Sequence, residues 1–259
     1  MLVAPLPSFP ASLRTRRLMA GTGQLAYSFR IGEVDMAAEL IEAHHYSGRM
    51  SANVQCVGTW HESGGLFGDY GDCVAACVFS IPPTRWSQPV LELTRLCRAP
   101  NVTRSLSGLI AATCGWIRRQ RLADCLVSFA DRTQGHHGGI YQAASWVYGG
   151  CRDRCMDGVM INGAFVPGRS CNSIHGTRSP SKLRQLYPSW LIEPHYDEGK
   201  HLYWLAPSVR GKAIARDLGL KSLPYPKPLA DRPQDEQRPP LSEAGVTPAI
   251  RSNFLAGVA

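Results

Sequence analysis

The centre of the chain constrains the fold most. Residues 125–130 read CLVSFA, a short run of apolar residues with a single serine, bounded by Asp124 and Asp131. A run this short, without polar alternation, is the form of a strand buried on both faces, as in parallel sheets. Before it, residues 105–119 set Leu109, Ile110, Thr113, Trp116 and Ile117 at helical spacing, and residues 90–97 read as another strand. Strand, helix and strand in succession imply a crossover connection, with the 90–97 and 125–130 strands as parallel neighbours. The chain is therefore expected to be an α/β protein.

The flanking segments extend this pattern. Residues 31–47 predict a helix: Glu33 and Asp35 fall in the first turn, Met36, Leu40 and Ile41 form an apolar stripe, and Gly48 follows the end. Two strand-like runs, 53–60 and 72–81, predict a hairpin with a long glycine-rich loop. Residues 140–148 predict a further helix ending at Gly149 and Gly150, and residues 158–161 and 201–205 are expected to finish the sheet. Three domains follow: a loosely ordered arm over 1–25, a folded domain over 26–208, and a flexible tail over 209–259. The tail is punctuated by Pro224, Pro226, Pro228, Pro233, Pro239, Pro240 and Pro248.

Charge and cysteines narrow the class. There are 28 Lys and Arg against 20 Asp and Glu, a net charge of +8, which favours a polyanionic partner. Arginines and lysines cluster at Arg14, Arg16 and Arg17, at Arg118, Arg119 and Arg121, and at Arg178, Lys182 and Arg184. No apolar stretch reaches the roughly 18 residues of a membrane-spanning helix. The nine cysteines are an odd number, and Cys56, Cys77, Cys114 and Cys125 sit in apolar runs, which suits buried thiols in a reducing compartment. Cys151 and Cys155, with Cys171 and His175 downstream, leave a structural metal open, although the spacing matches no zinc signature.

Four places can carry chemistry. After the 90–97 strand, the turn from Pro100 to Gly108 offers Ser105 as an N-cap, and a helix N-terminus suits a pyrophosphate. Asp131 ends the buried strand, where α/β proteins place ligands; it can serve as a carboxylate base or as a metal ligand. His136 and His137 follow it among glycines. Tyr141 either packs in the core or faces a site. His44, His45, Tyr46 and Ser47 close the first helix, where histidine can simply complement the helix dipole. With Asp131 and Tyr141, their nitrogen and oxygen donors would instead suit iron or another first-row metal. No P-loop and no dinucleotide fingerprint is present.

The strand–loop–helix–strand–helix core resembles the GNAT acyl-CoA N-acyltransferases over residues 31–150. Pro100, Arg104 and Gly108 fall where that family has its pyrophosphate turn, with Ser105, Leu106 and Ser107 in place of its glycine-rich run. Tyr141-Gln-Ala-Ala-Ser145-Trp146 is similar to its later Tyr-x-x-x-Gly-Phe pattern. The fold so implied is a GNAT-like mixed central sheet flanked by helices.

A closer resemblance is to the phage Mom proteins. It is carried by His45-Tyr46-Ser47, Glu92-Leu-Thr-Arg-Leu96, Ser128-Phe-Ala-Asp131, Gly138-Gly-Ile-Tyr-Gln-Ala143 with Trp146, and Lys200-His-Leu-Tyr203. This resemblance implies an enzyme that installs a methylcarbamoyl group on adenine N6 of double-stranded phage DNA. It would use acetyl-CoA and iron, work in the cytoplasm of the infected bacterium and protect the DNA from host restriction. It further implies catalytic roles for Tyr46, Asp131 and Tyr141, metal ligation by His45, Tyr46, Asp131 and Tyr141, and acetyl-CoA binding by Arg104, Ser105, Ser107, Gly108 and Tyr141. Two other readings stay open: a GNAT acyltransferase acting on a protein or small-molecule amine, and a non-catalytic DNA-binding protein.

Overall fold

The structure, a computed structural model, describes residues 26–63, 70–82, 86 and 89–226. The expected arm over 1–25, the cluster at Arg14, Arg16 and Arg17, and the tail beyond residue 226 lie outside the described residues. In chain order the elements are β1 (Ala26–Ile31), α1 (Val34–His44), β2 (Val54–Ser63), β3 (Tyr70–Ser80), β4 (Val90–Arg98), α2 (Ser107–Gln120) and β5 (Cys125–Asp131). A 3-10 turn over Arg132–Gln134 leads to α3 (Gly139–Ala143), β6 (Val147–Arg152), β7 (Met156–Ile161) and β8 (Ala164–Pro167). Then come α4 (Gly168–His175), α5 (Pro180–Leu186), β9 (Ile192–Tyr196), β10 (Lys200–Leu205) and α6 (Val209–Asp217). The described residues divide into two compact units, one within 26–128, 143–146 and 204–220, the other within 129–142, 147–203 and 221–226.

The first unit carries the mixed α/β sheet flanked by helices that a GNAT-like fold requires. β1 to β5 lie side by side in chain order. The first four pair antiparallel, and β5 pairs with β4 in parallel, as the crossover argument demands. Alternation along the strands sends neighbours to opposite faces. Val57, Ala76 and Val78 meet Ala37, Leu40 and Ile41 of α1. On the other face Gly58 receives α2 so closely that a Cβ there would lie 2.0 Å from Thr113 Oγ1. Each helix thus covers one face of the sheet.

The parallel ladder runs from Val90↔Cys125 to Leu93↔Ser128 and stops, closed by the Ser128 hydroxyl donating to the Leu93 carbonyl at 2.9 Å. β4 continues to Arg98 as the antiparallel partner of β3. Its end therefore delivers the chain directly to the start of α2.

The second unit holds an antiparallel sheet in the order β8-β7-β9. Val159, Cys171, Leu183 and Ile192 form its core, two of them supplied by α4 and α5. β6 and β10 are hydrogen-bonded neighbours. Three expectations are corrected here. β7, expected to finish the main sheet, is instead the middle strand of this small one. The helix expected over 140–148 ends at Ala143: Ser145 adopts a left-handed φ of 61° and the chain turns into β6. Residues 209–217, expected to open the tail, form α6, whose first turn is capped by the Ser208 hydroxyl accepting the Gly211 amide at 2.8 Å.

Candidate functional site

Two groups of side chains stand out in the first unit. At the start of α2, buried Val102 and Leu106 anchor the turn that follows β4. The N-cap is Leu106, which has no side-chain capping bond. Ser105, expected to cap the helix, stands one residue earlier; its hydroxyl reaches the Ser107 amide at 3.4 Å and the Ser107 hydroxyl at 3.1 Å. The first intrahelical bond runs from the Ile110 amide to the Leu106 carbonyl, so the amides of Ser107, Gly108 and Leu109 precede the helical ladder. The first turn contains no acidic residue. Arg104 lays its guanidinium 5.0 Å above the Trp60 ring, and Arg98 donates to the Arg104 carbonyl at 3.3 Å. Gly108 is exposed beside the same indole: a Cβ there would lie 3.5 Å from it. A positive helix end with two arginines and an exposed glycine can bind a pyrophosphate.

The second group sits where α1 ends. His45 is the C-cap, with its amide bonded to the Ile41 carbonyl. Its Nδ1 accepts the Ser47 amide at 3.1 Å and lies 2.8 Å from the Ser47 hydroxyl. An imidazole that accepts at Nδ1 carries its proton on Nε2 when neutral. Tyr46 is 41% exposed, with its ring 4.3 Å from that of His45. The Arg49 carbonyl accepts from both Ser47 Oγ, at 3.3 Å, and Arg95 Nε, at 3.0 Å. Thr94 Oγ1 lies 2.8 Å from Ser51 Oγ and 3.1 Å from Ser80 Oγ. Thr94 and Arg95 of β4 are thereby joined to the segment after α1.

In the second unit Asp131 and Tyr141 each have defined partners. Asp131 Oδ1 accepts the Thr133 amide at 3.0 Å, and Oδ2 lies 3.5 Å from the Lys200 ammonium. Lys200 stands 3.9 Å from Asp197, a buried carboxylate that also accepts the Cys155 and Gly199 amides. Tyr141 is buried, its ring 5.2 Å from that of Tyr203. Tyr203 packs in turn on Tyr148, whose hydroxyl meets His201 Nδ1 at 2.9 Å. Burial, then the Arg132 and His137 charges, hold the His201 pKa below its ordinary value, so the imidazole is neutral at pH 7. His137 contributes its carbonyl to Tyr203, while His136 is exposed. Lys200, Asp197, Gln142 and Tyr203 were not given roles by the residue reading. The signal for three of them was present, since Gln142, Lys200 and Tyr203 belong to motifs quoted above.

Iron finds no support in the structure. His45 Nδ1 is engaged by Ser47, and Asp131 already faces an ammonium on one oxygen and an amide on the other. Among the described residues no three His, Cys, Asp or Glu side chains are grouped to hold a metal. The same holds for Cys151, Cys155, Cys171 and His175, which the sequence leaves open as a structural metal site. The Cys171 thiol donates to the Thr177 carbonyl, His175 Nδ1 meets the Tyr187 hydroxyl at 3.1 Å, and Cys151 and Cys155 are exposed.

Two of the basic clusters fall on helices, and Arg118, Arg119 and Arg121 are exposed. Arg118 and Arg119 complement the C-terminal end of α2, and Arg184 donates twice to the Ile192 carbonyl. No helix of the described residues is long and apolar enough to cross a membrane.

A family model described as the Mom protein family matches residues 27–227. No curated protein matches the chain. Similar solved structures include a Bacillus subtilis acetyltransferase in complex with CoA, at 9% identity and a TM-score of 0.38, covering 70% of this chain and 99% of that one. Another is the ribosomal-protein alanine N-acetyltransferase from Escherichia coli, at 11% identity and a TM-score of 0.36, covering 70% and 95%.

Proposed function

The chain belongs to the Mom protein family, and on that premise we propose that it is an acetyl-CoA-dependent enzyme that modifies adenine N6 in double-stranded phage DNA. The group installed is methylcarbamoyl, and the modified DNA resists host restriction in the cytoplasm of the infected cell. The observation that carries this reading is the start of α2: amides ahead of the helical ladder, no acidic residue, and Arg98 and Arg104 alongside. Such a helix end holds the CoA pyrophosphate through N–H groups and the helix dipole.

The other residues take roles that their chemistry permits. When a bond forms at adenine N6, that nitrogen must lose a proton, and Asp131 is the carboxylate that accepts it. Tyr141 supplies a proton to the CoA thiolate. Tyr46, exposed beside His45, offers a ring on which an extruded base can stack. His45, with Nδ1 committed to Ser47, presents an N–H at Nε2 to the base or to a phosphate. Joining N6 to the methyl carbon of an acetyl unit also breaks a C–H bond and removes two electrons; a redox metal such as iron, which the resemblance implies, would supply that oxidation. The net charge of +8 favours a polyanion as substrate.

The test is made on plasmid DNA from cells expressing the full chain, digested to nucleosides and weighed by mass spectrometry. A heavier adenosine is expected, formed far more slowly but still measurably with Asp131→Asn. Adenosine of unchanged mass overturns the reading. If a protein or small-molecule amine is acylated instead, the acyltransferase alternative replaces it.

A further inference from the structure

Asp131 lies in a turn that the rest of its unit grips at several points. The segment between β9 and β10 runs through Asp197, Glu198 and Gly199 to Lys200. It meets the end of β5 through the Arg132 amide on the Gly199 carbonyl at 3.4 Å and through Arg132 Nη1 on the Glu198 carbonyl at 3.2 Å. The Glu198 amide donates to Thr133 Oγ1 at 3.1 Å. Lys200 completes the set from its ammonium to Asp131. Gly199 makes this path possible: its φ is +84°, and a Cβ there would lie 2.4 Å from the Arg152 carbonyl oxygen.

An exposed ion pair would deserve little weight. Here the partners differ in exposure in a telling way. The Asp131 side chain is 14% exposed and that of Asp197 7%, against 40% for Lys200. Asp197 Oδ1 is used up by two backbone amides, at 2.9 Å from Cys155 and 3.0 Å from Gly199, leaving Oδ2 towards Lys200. The ammonium is thus set between two carboxylates whose positions are fixed by the backbone. One of these carboxylates, Asp131, ends the buried strand β5; the other, Asp197, has no role in the proposed chemistry.

We propose that Lys200 is the positioning residue of Asp131, with the Asp197 carboxylate and the Asp197–Lys200 turn fixing Lys200. This rests on the assignment of Asp131 as the proton acceptor. Lys200 acts through Asp131: it fixes Oδ2 and leaves the carboxylate in one orientation. The chemistry of the amine proton is unchanged by this assignment; only the direction from which it is taken is set.

The experiment uses the full chain in expressing cells, with modified adenosine measured over time, and acetyl-CoA binding by calorimetry on the purified proteins. Lys200→Met is expected to slow modification at least tenfold while the acetyl-CoA Kd stays within twofold. Lys200→Arg is expected to recover most of the rate, which a purely packing role would not produce. In an Asp131→Asn background, Lys200→Met is expected to add no further loss. If Lys200→Met does not fold, Lys200→Gln takes its place with the same expectations. A rate within twofold of wild type for Lys200→Met overturns the proposal, as does a further tenfold loss in the Asp131→Asn background or a failure of Lys200→Arg to recover. Full activity in Asp131→Asn alone, or no modification by the wild type, overturns the Asp131 assignment and this proposal with it.

Discussion

The Tyr203 hydroxyl donates to the His137 carbonyl at 2.7 Å and ties the loop after β5 to β10. The same oxygen accepts the Gln142 side-chain amide at 3.0 Å, so one buried phenol holds both ends of the His137–Gln142 segment that carries Tyr141. Burial raises the Tyr203 pKa, with the Gln142 bond offsetting it in part, and the phenol stays protonated as a donor. Tyr203→Phe removes both bonds without changing the ring, at an expected cost of about 1–3 kcal/mol. Gly138→Ala should cost more than Tyr203→Phe. Its Cβ would stand 2.2 Å from the Tyr203 ring at a φ of +83°. Urea unfolding of the two variants gives the ranking, and the reverse order would contradict this packing.

The contact of Gly58 with Thr113 makes a second ranking. Gly58→Ala places a methyl group inside the distance of Thr113 Oγ1, and overpacking of this kind costs about 1–3 kcal/mol. Thr113 is itself bonded to the Leu109 carbonyl at 2.8 Å, so Thr113→Ala alone is also destabilising. The double variant should be more stable than the sum of the two losses, because the second change removes the clash created by the first. Strict additivity in denaturant midpoints would show that α2 does not rest on β2 at this point.

How much of this was legible depended on where each residue found its partner. The CLVSFA run announced β5 because both of its faces are covered, and the amphipathic spacing announced α2 because one of its faces is. β1 was missed: AYSFRI mixes polar and apolar residues. The helix expected after Tyr141 failed for a local reason. Ser145 adopts a left-handed φ, and the chain leaves the helical path there before it reaches buried Trp146. β7, β8 and β9 are short and mixed in polarity, so no period marks them as a separate sheet. The Lys200–Asp131 ion pair is invisible to any local pattern, since 69 residues separate the two in the sequence. Ser105 looked like the cap of α2 by residue type, while the backbone gives that position to Leu106.

The start of α2 offers a variant whose two effects point in opposite directions. Ser107→Asp puts a carboxylate into a first turn that has no acidic residue. Near a helix N-terminus a negative charge stabilises, by about 0.3–1 kcal/mol. The same charge repels a pyrophosphate approaching those amides. The variant should therefore melt no lower than wild type, yet lose acetyl-CoA affinity at least tenfold by calorimetry. Arg104→Ala is expected to weaken binding as well, and here without the gain in stability. Unchanged affinity in Ser107→Asp would remove the pyrophosphate from this helix end.

The cysteines supply a pH dependence with a defined sign. Burial pushes the thiols of Cys56 and Cys114 from an ordinary 9.0 up to about 12, and those of Cys73, Cys97 and Cys125 up to about 11. A thiol whose pKa is higher folded than unfolded holds its proton more tightly in the native state. The resulting stability is fully present below about pH 9 and is lost as pH rises towards the folded values near 12. The urea midpoint should accordingly fall between pH 9 and 11, and less steeply in Cys114→Val, where one such proton is gone. An identical slope in the variant would show that Cys114 takes no part. The same burial governs reactivity, because the thiolate is the nucleophile. At pH 8 a thiol reagent should label exposed Cys151 and Cys155 rapidly, half-buried Cys73 more slowly, and the six buried cysteines only on unfolding. A third thiol reacting at the fast rate in the native protein would mean that a buried or half-buried cysteine is open to solvent.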